Sequence, residues 1–257
     1  MTALMYHDIV AAGAEDSSGF AGRDAARYKV TPRLFGAHLD AIVASAGAAA
    51  SRLAITFDDG GIGAMTAADV LEQRGLRGRF FVTVNYIGRR GFVSRSNLTE
   101  LSRRGHTIGS HSCSHPLRMG HCKWSQLIHE WARSRTVLSD LLSEEVLTGS
   151  LPGGDFAPAV AEAATQAGYA TLFTSEPHRT PRNAHGLTLV GRFTIRPWTT
   201  ARTASALAAG QYVPCARQAL LWNARKLTKR LGGDRYLLLR RALLRQGNDV
   251  QWGDTIG

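Results

Sequence analysis

Asp58 and Asp59 adjoin each other, and His111 and His115 lie four residues apart. These four side chains suffice for a divalent metal with a base beside it. Asp59, His111 and His115 supply two imidazoles and one carboxylate and leave positions open for water, as a catalytic zinc requires. Asp58 is then left over to take a proton from that water. Taken singly, Asp-Asp-Gly after a strand is an ordinary turn, and His-x-x-x-His is a pair of polar loop residues. Together, each following an apolar strand, they complete a set that neither has alone and point to metal-dependent hydrolysis. Zn²⁺, Co²⁺ and Ni²⁺ all suit such ligands. A rival reading gathers His111, Cys113, His115, His121 and Cys122 into a closed structural zinc site, although their spacing matches no familiar zinc module.

The elements that must position these residues alternate strand and helix. Ala3–Val10 reads as a buried strand carrying His7 near its end, and residues 13–29 as a loop. Thr31-Pro32 opens a helix, with Thr as N-cap and Pro at the first helical position. Leu53–Phe57 is an apolar strand that delivers Asp58, and a helix over Ala64–Arg74 closes at Gly75. Arg79–Val84 is the next strand. Asn97 and Glu100 have capping-box spacing for a helix ending at Gly105. Thr107–Ser110 delivers His111. Further helices are expected over Ser125–Leu142, with Leu127 and Trp131 inward, and over Ala157–Ala167. Further strands are expected at Val146–Leu151, Tyr169–Thr174 and Leu187–Ile195. Such alternation predicts an α/β fold with a parallel sheet, its chemistry at the rim where the strands end.

Length, charge and cysteine content narrow the setting. The chain has 257 residues and a formal charge of +11. Residues 201–257 hold ten Arg/Lys and only three Asp/Glu. The expected division is therefore a barrel over residues 1–200 and a basic, amphipathic helical tail over 201–257. Leu220, Leu221, Ala224, Leu227 and Leu231 would form its apolar stripe, opposite Arg225, Lys226, Lys229 and Arg230. That tail suggests contact with an anionic membrane surface. The charge comes without a nucleic-acid-binding motif, so no nucleic acid is expected. Cys113, Cys122 and Cys215 are too sparse for a disulfide framework and fit a reduced, cytoplasmic setting, at most peripheral to the inner membrane face. Met1–Tyr6 lack the basic-then-apolar pattern of a signal peptide, and no apolar run approaches the ~18 residues of a membrane span.

The segments Thr56-Phe57-Asp58-Asp59-Gly60 and His111-Ser112-Cys113-Ser114-His115-Pro116, with the strand order between them, resemble the polysaccharide deacetylase (NodB-homology) family, carbohydrate esterase family 4. The likeness covers about residues 3–195. It implies a distorted (β/α) barrel that hydrolyses the N-acetyl group of an amino sugar or glycan, on a carrier that could be a lipid. By resemblance Asp58 is the general base, and Asp59, His111 and His115 hold the metal, usually zinc. The family's Arg-x-Pro-x-Gly motif survives at Ser150–Gly154 only in Pro152 and Gly154. Gly153 N–H would there serve the oxyanion, and Ser150 stands where the family's base-orienting Arg belongs, a role for which Arg192 or Arg196 could substitute. The family's late Leu-x-His acid has no counterpart after Ile195. Tyr6-His7 resembles the circularly permuted members that carry this His at the front, which makes His7 the acid.

Weaker candidates remain. Asp155 and Glu176 follow strands and could orient an Arg or meet sugar hydroxyls. Tyr86, Trp124 and Trp198 could stack on a sugar ring. The degraded third motif also leaves room for a catalytically silent barrel that binds a glycan or another polyanion.

Overall fold

The computed structural model of the protein describes residues 2–224. Along the chain come β1 (Ala3–Tyr6), β2 (Asp8–Ile9), a single helical turn α1 (Arg23–Ala26), β3 (Lys29–Val30), α2 (Pro32–Ala46), β4 (Ala54–Phe57) and α3 (Gly63–Glu72). Then follow β5 (Arg79–Val82), α4 (Arg95–Arg103), β6 (Thr107–Ser110), α5 (Trp124–Leu142), β7 (Thr148–Ser150) and α6 (Pro158–Gln166). The series ends with β8 (Thr171–Phe173), β9 (Arg182–Ala184), β10 (Leu187–Val190), β11 (Phe193–Thr194) and α7 (Ala201–Ala208). A further helix begins at 212 and reaches the last described residue, 224.

Nine strands form one curled sheet in the order β11-β1-β4-β5-β6-β7-β8-β10-β9. Every pairing in it is parallel except β9 with β10. This is the α/β fold with a mainly parallel sheet that the alternating pattern predicts, curled as the resemblance implies. Side chains alternate across it, as strand geometry requires. Leu4, Tyr6, Ile55, Phe57, Phe80, Ile108 and Leu172 pack outward under the helices, whereas Ala3, Ala54, Phe81, Phe173 and Val190 form a separate inner cluster.

The stretch Leu187–Ile195 changes partners midway. Its first half pairs with β8 through Val190↔Phe173, and its second half pairs with β1 through Met5↔Thr194. Gly191 and Arg192 are the link, so one short extended run spans from one side of the curled sheet to the other. Val190 lies in the inner cluster, and Arg192, two residues on, is fully buried.

Several local expectations needed correction. The first strand breaks at His7 into β1 and β2, and β2 pairs with β3 in a sheet of its own. The cap of α4 is Ser94, not Asn97: the Ser94 hydroxyl accepts from Asn97 N–H at 3.1 Å, and Asn97 Oδ1 accepts from Ser94 N–H at 2.9 Å. Asn97 thus closes the capping box from the third helical position, which its short amide reaches as well as a longer side chain would. The antiparallel β9 carries no sequence signal that set it apart from loop.

The first compact unit runs to Cys215, and the described residues from 216 to 224 belong to another. The first therefore continues beyond position 200, because α7 buries Ala204 and Leu207 and packs along α2. The Ser205 hydroxyl donates to the Ala41 carbonyl across that contact at 3.1 Å. Of the expected basic stripe, Leu227, Leu231 and all four cations lie outside the described residues. Among the described residues, no helix is long and apolar enough to cross a membrane. The packing of α7 is tested by Leu207→Ala, which should cost about 2–5 kcal/mol in urea denaturation, as large-to-small core changes do. A loss below ~0.5 kcal/mol, typical of surface positions, would place α7 outside the core.

Candidate active site

Adjacent parallel strands end at one rim, and the site is assembled there. Register Tyr6↔Phe57 brings His7 level with Asp58, whose N–H still donates to the Tyr6 carbonyl at 3.2 Å. After Asp58 the backbone turns: Asp59 has φ 76° and Gly60 φ 83°. Two strands along, His111 N–H donates to the Val82 carbonyl at 2.8 Å, and the chain turns again at Ser112 (φ 64°) and His115 (φ 61°). Non-glycine residues seldom enter this left-handed region. Three of the five that do so among the described residues sit in these two motifs, so backbone strain is concentrated where the carboxylate and imidazoles must converge.

Asp59, His111 and His115 converge. Their donor atoms all lie within 4.8 Å of one another, and no other set of His, Cys, Asp or Glu among the described residues does so in a way that could hold an ion. Asp59 Oδ1 stands 3.4 Å from Nε2 of each histidine. That is long for a hydrogen bond, yet two ligands each ~2.0–2.2 Å from one tetrahedral ion would lie about 3.4 Å apart. Asp59 Oδ1 is buried and otherwise lacks a partner. The Ser150 carbonyl, which can only accept, holds His111 Nδ1 at 2.9 Å, so Nδ1 carries the proton and Nε2 offers its lone pair to the cluster. The residues fit a divalent metal. Electrostatics agree: burial raises the pKa of Asp59, but its contacts with His111 and His115 outweigh this and hold it well below the usual carboxylate range. Burial works against a charged His111 too, and Asp58 and Asp59 prevail, leaving its pKa raised.

Asp58 is held apart from this set by Arg192. The guanidinium donates to Asp58 Oδ1 at 2.7 Å and Oδ2 at 2.8 Å, and also to Thr56 Oγ1, Ser150 Oγ and the Thr174 carbonyl. Ser150 Oγ donates to Asp58 Oδ1 at 3.1 Å. Burial would raise the Asp58 pKa; Arg192, with help from His111, outweighs it and keeps the carboxylate ionised. Of the two arginines open on sequence, Arg192 is the one on Asp58. Arg196 lies over the Tyr28 ring at 4.0 Å and donates to its hydroxyl.

Burial lowers the pKa of His7, with Asp59 and Asp58 acting in the opposite sense, and His7 Nδ1 has no hydrogen-bond partner. Gly153 adopts φ 65°, and a Cβ there would sit 2.5 Å from the Leu117 carbonyl oxygen. Only glycine fits where this loop abuts the segment after His115. Asp155 accepts from Gly120 N–H and pairs with His121 Nδ1 at 3.0 Å, tying down the 118–121 turn. The Glu176 carbonyl accepts from Arg192 N–H at 3.0 Å. The alternative structural zinc site does not form. Cys113 is buried with its thiol pushed up to about 12 by desolvation, and Cys122 Sγ faces the Arg118 carbonyl.

Two supporting residues escaped the sequence reading. Glu130, buried on α5, accepts from Cys113 N–H (2.8 Å), Ser114 N–H (2.9 Å) and the Ser114 hydroxyl (2.6 Å), fixing the turn between the two histidines. An acid on the stripe that buries Leu127, Trp131 and Leu138 was its signal, since carboxylates are seldom buried without a task. Lys29 Nζ donates to the carbonyls of Glu15, Ser18 and Phe20, gathering the loop whose Phe20 ring packs 5.0 Å from that of His115.

Comparison with known proteins bears on the family and the fold. A family model described as polysaccharide deacetylase matches residues 46–172, a span that contains Asp58, Asp59, His111, His115 and Gly153. Over these residues the chain is similar to the polysaccharide deacetylase family. Two residues of the rim, His7 and Arg192, lie outside the matched span. YxkH of Bacillus subtilis (strain 168), assigned by name to the polysaccharide deacetylases, is 26% identical over 144 residues, 56% of this chain. The chain matches about half, 51%, of that relative's length. Two solved structures share the fold. The Streptococcus pyogenes deacetylase PplD, in complex with acetate, has a TM-score of 0.65 at 19% identity over 79% of this chain and 95% of its own. IcaB from Ammonifex degensii has a TM-score of 0.63 at 20% identity over 80% and 96%.

Metal uptake by the three converging side chains is testable residue by residue. Asp59→Ala should abolish zinc binding in competition with a chromophoric chelator, and Glu130→Gln should weaken it about 10–100-fold, as loss of a group supporting a ligand does. Cys113→Ser combined with Cys122→Ser should leave zinc content unchanged. Zinc lost with the cysteines and kept without Asp59 would overturn the ligand assignment.

Proposed function

We propose that this chain hydrolyses the N-acetyl group of an amino sugar within a glycan, using a divalent metal, zinc in the simplest case, held by Asp59, His111 and His115. One observation carries the reading: a three-donor site with a buried, unpartnered carboxylate oxygen lies beside a second carboxylate that is bound to Arg192 instead. A protein that only bound a polyanion would have no use for that second group. The strongest support for a silent barrel was the missing arginine at position 150, and Arg192 supplies that guanidinium from the far side of the sheet.

When bound, the ion polarises the acetamide carbonyl and lowers the pKa of a water molecule. Asp58 accepts the proton as that water attacks the carbonyl carbon, and Arg192 and Ser150 keep its carboxylate turned to the reacting atoms. Gly153 N–H donates to the carbonyl oxygen as negative charge develops there. His7 acts in its protonated form, which Asp59 and Asp58 favour against burial; it gives its proton to the departing amine nitrogen, so the C–N bond breaks with acetate and a free amine as products. The register that sets His7 beside Asp58 supports this role, as does an Nδ1 with no competing partner.

Release of acetate from N-acetylglucosamine oligomers is the direct test. It should be lost on chelation and fall at least about 100-fold in Asp58→Asn and in His7→Ala, the range in which general acid–base groups contribute. A His7→Ala variant within a few-fold of wild type would remove that residue from the mechanism. Arg192→Gln tests the clamp through pH. Without the guanidinium, burial of Asp58 is no longer outweighed, its pKa rises, and the acidic limb of kcat/KM moves to higher pH. Arg192→Lys, which keeps the charge, should move it less. An acidic limb that stays in place in Arg192→Gln would show that Asp58 is not the titrating base.

A further inference from the structure

We propose that Arg27, Tyr28, Arg196 and Trp198 form a substrate subsite for an anionic group, a carboxylate or phosphate, on the glycan next to the sugar that is deacetylated. The proposal rests on the deacetylase reading and names the substrate class within it. The Tyr28 ring lies 4.4 Å from the His7 ring, so the platform begins at the flank of the reacting centre. Arg196 stacks on Tyr28 at 4.0 Å and lies 5.5 Å from the Trp198 ring, and Arg27 lies 5.8 Å from the same ring. Trp198 is 61% exposed. Two chain segments far apart in sequence thus present two guanidiniums around one open indole.

The platform is built rather than incidental. Residue 196 follows directly on the run that pairs with β1, since Ile195 N–H donates to the Met5 carbonyl. Arg196 N–H donates to Thr199 Oγ1 at 3.0 Å, and the Thr199 carbonyl is held by His38 Nε2 at 2.8 Å, with Tyr6 on the other ring nitrogen. The turn carrying Trp198 is therefore anchored to the core beneath the site. Arg196 gives its guanidinium to the ring and hydroxyl of Tyr28, whereas Arg74, Arg104 and Arg192 each bind a carboxylate. Stacked guanidiniums are weakly hydrated and match planar or tetrahedral oxyanions. The indole offers a flat apolar surface to the C–H face of a sugar ring. A neutral glycan would use the indole alone. An anionic one uses both.

Isothermal titration calorimetry of the full chain, with chelator present to prevent turnover, tests this. The probes are an N-acetylglucosamine tetramer, the same tetramer with a carboxylate on alternate sugars, and the tetramer with a phosphate at its reducing end. The better anionic probe should bind about tenfold more tightly than the neutral one at low salt, with the advantage screened away near 1 M salt; its identity decides between carboxylate and phosphate. Arg27→Gln together with Arg196→Gln should bring the ratio to about one, and Arg27→Gln alone, at an exposed side chain, should lower it without altering the thermal midpoint. Trp198→Ala should weaken all three probes several-fold. Equal or undetectable binding of the three probes by wild type, or a preference that persists in the double variant, overturns the subsite. Acetate release is measured separately. Anionic preference without acetate release refutes the deacetylase reading alone, and acetate release without the preference refutes the subsite alone.

Discussion

A fully buried guanidinium organises this protein. Arg192 binds both oxygens of Asp58 and reaches side-chain or backbone oxygens on β4, β7 and just beyond β8. Burying an ion pair costs several kcal/mol per charge before attraction returns it, so such a contact persists only with close geometry and all remaining donors used. Here the geometry follows from a partner exchange. The run from Leu187 to Ile195 leaves β8 and joins β1 within two residues, which sets the Arg192 backbone at the seam and its side chain on the inner face. The rings of Phe81 and Phe173 lie 5.7 and 5.9 Å from the guanidinium carbon, giving it apolar walls and little competing water.

That clamp divides the labour between two adjacent carboxylates. Asp58 and Asp59 are neighbours in sequence, yet Asp59 is in the left-handed conformation and faces the imidazoles, while Asp58 remains in the sheet ladder and faces Arg192. Without a committed cation, the two would compete for the same positive charge, and burial would push one of them to take up a proton. With Arg192 on one and His111 and His115 on the other, both stay ionised. Glu130 plays a quieter part by fixing the turn that places His115, and the Lys29-gathered loop seats Phe20 against that ring.

The four motif residues were legible because they follow apolar strands, and parallel strands of one sheet must end at one rim. The place of His7 at that rim was legible once its strand was assigned, although the break after Tyr6 was not; its role as the acid came from the resemblance alone. Arg192 could be named only as one of two substitutes. Period-two alternation puts it on the inner face, but no local pattern states that its strand changes partners or which carboxylate it meets. Lys29 was missed because its partners are backbone groups of other segments, which leave no trace in spacing, and Glu130 because its place on an apolar stripe marks a buried acid without saying what it binds. The division at 200 followed composition. Charge accumulates from there on, but Ala204 and Leu207 already belong to the core, and two apolar residues on one short helix are a weaker signal than a run of cations. At α4, Ser94 and Asn97 both suit a cap, and the choice rests on where the chain enters the helix.

The account stands on one arrangement, in which three side chains share an ion while Asp58 stays bound to Arg192 outside its coordination sphere. A crystal structure of the zinc-loaded protein at neutral pH tests it most directly. The account predicts zinc at ~2.0–2.2 Å from Asp59 oxygen and from the Nε2 atoms of His111 and His115, with both oxygens of Asp58 still on the guanidinium. Zinc coordinated by Asp58, or an Arg192 side chain turned away from it, would contradict the account.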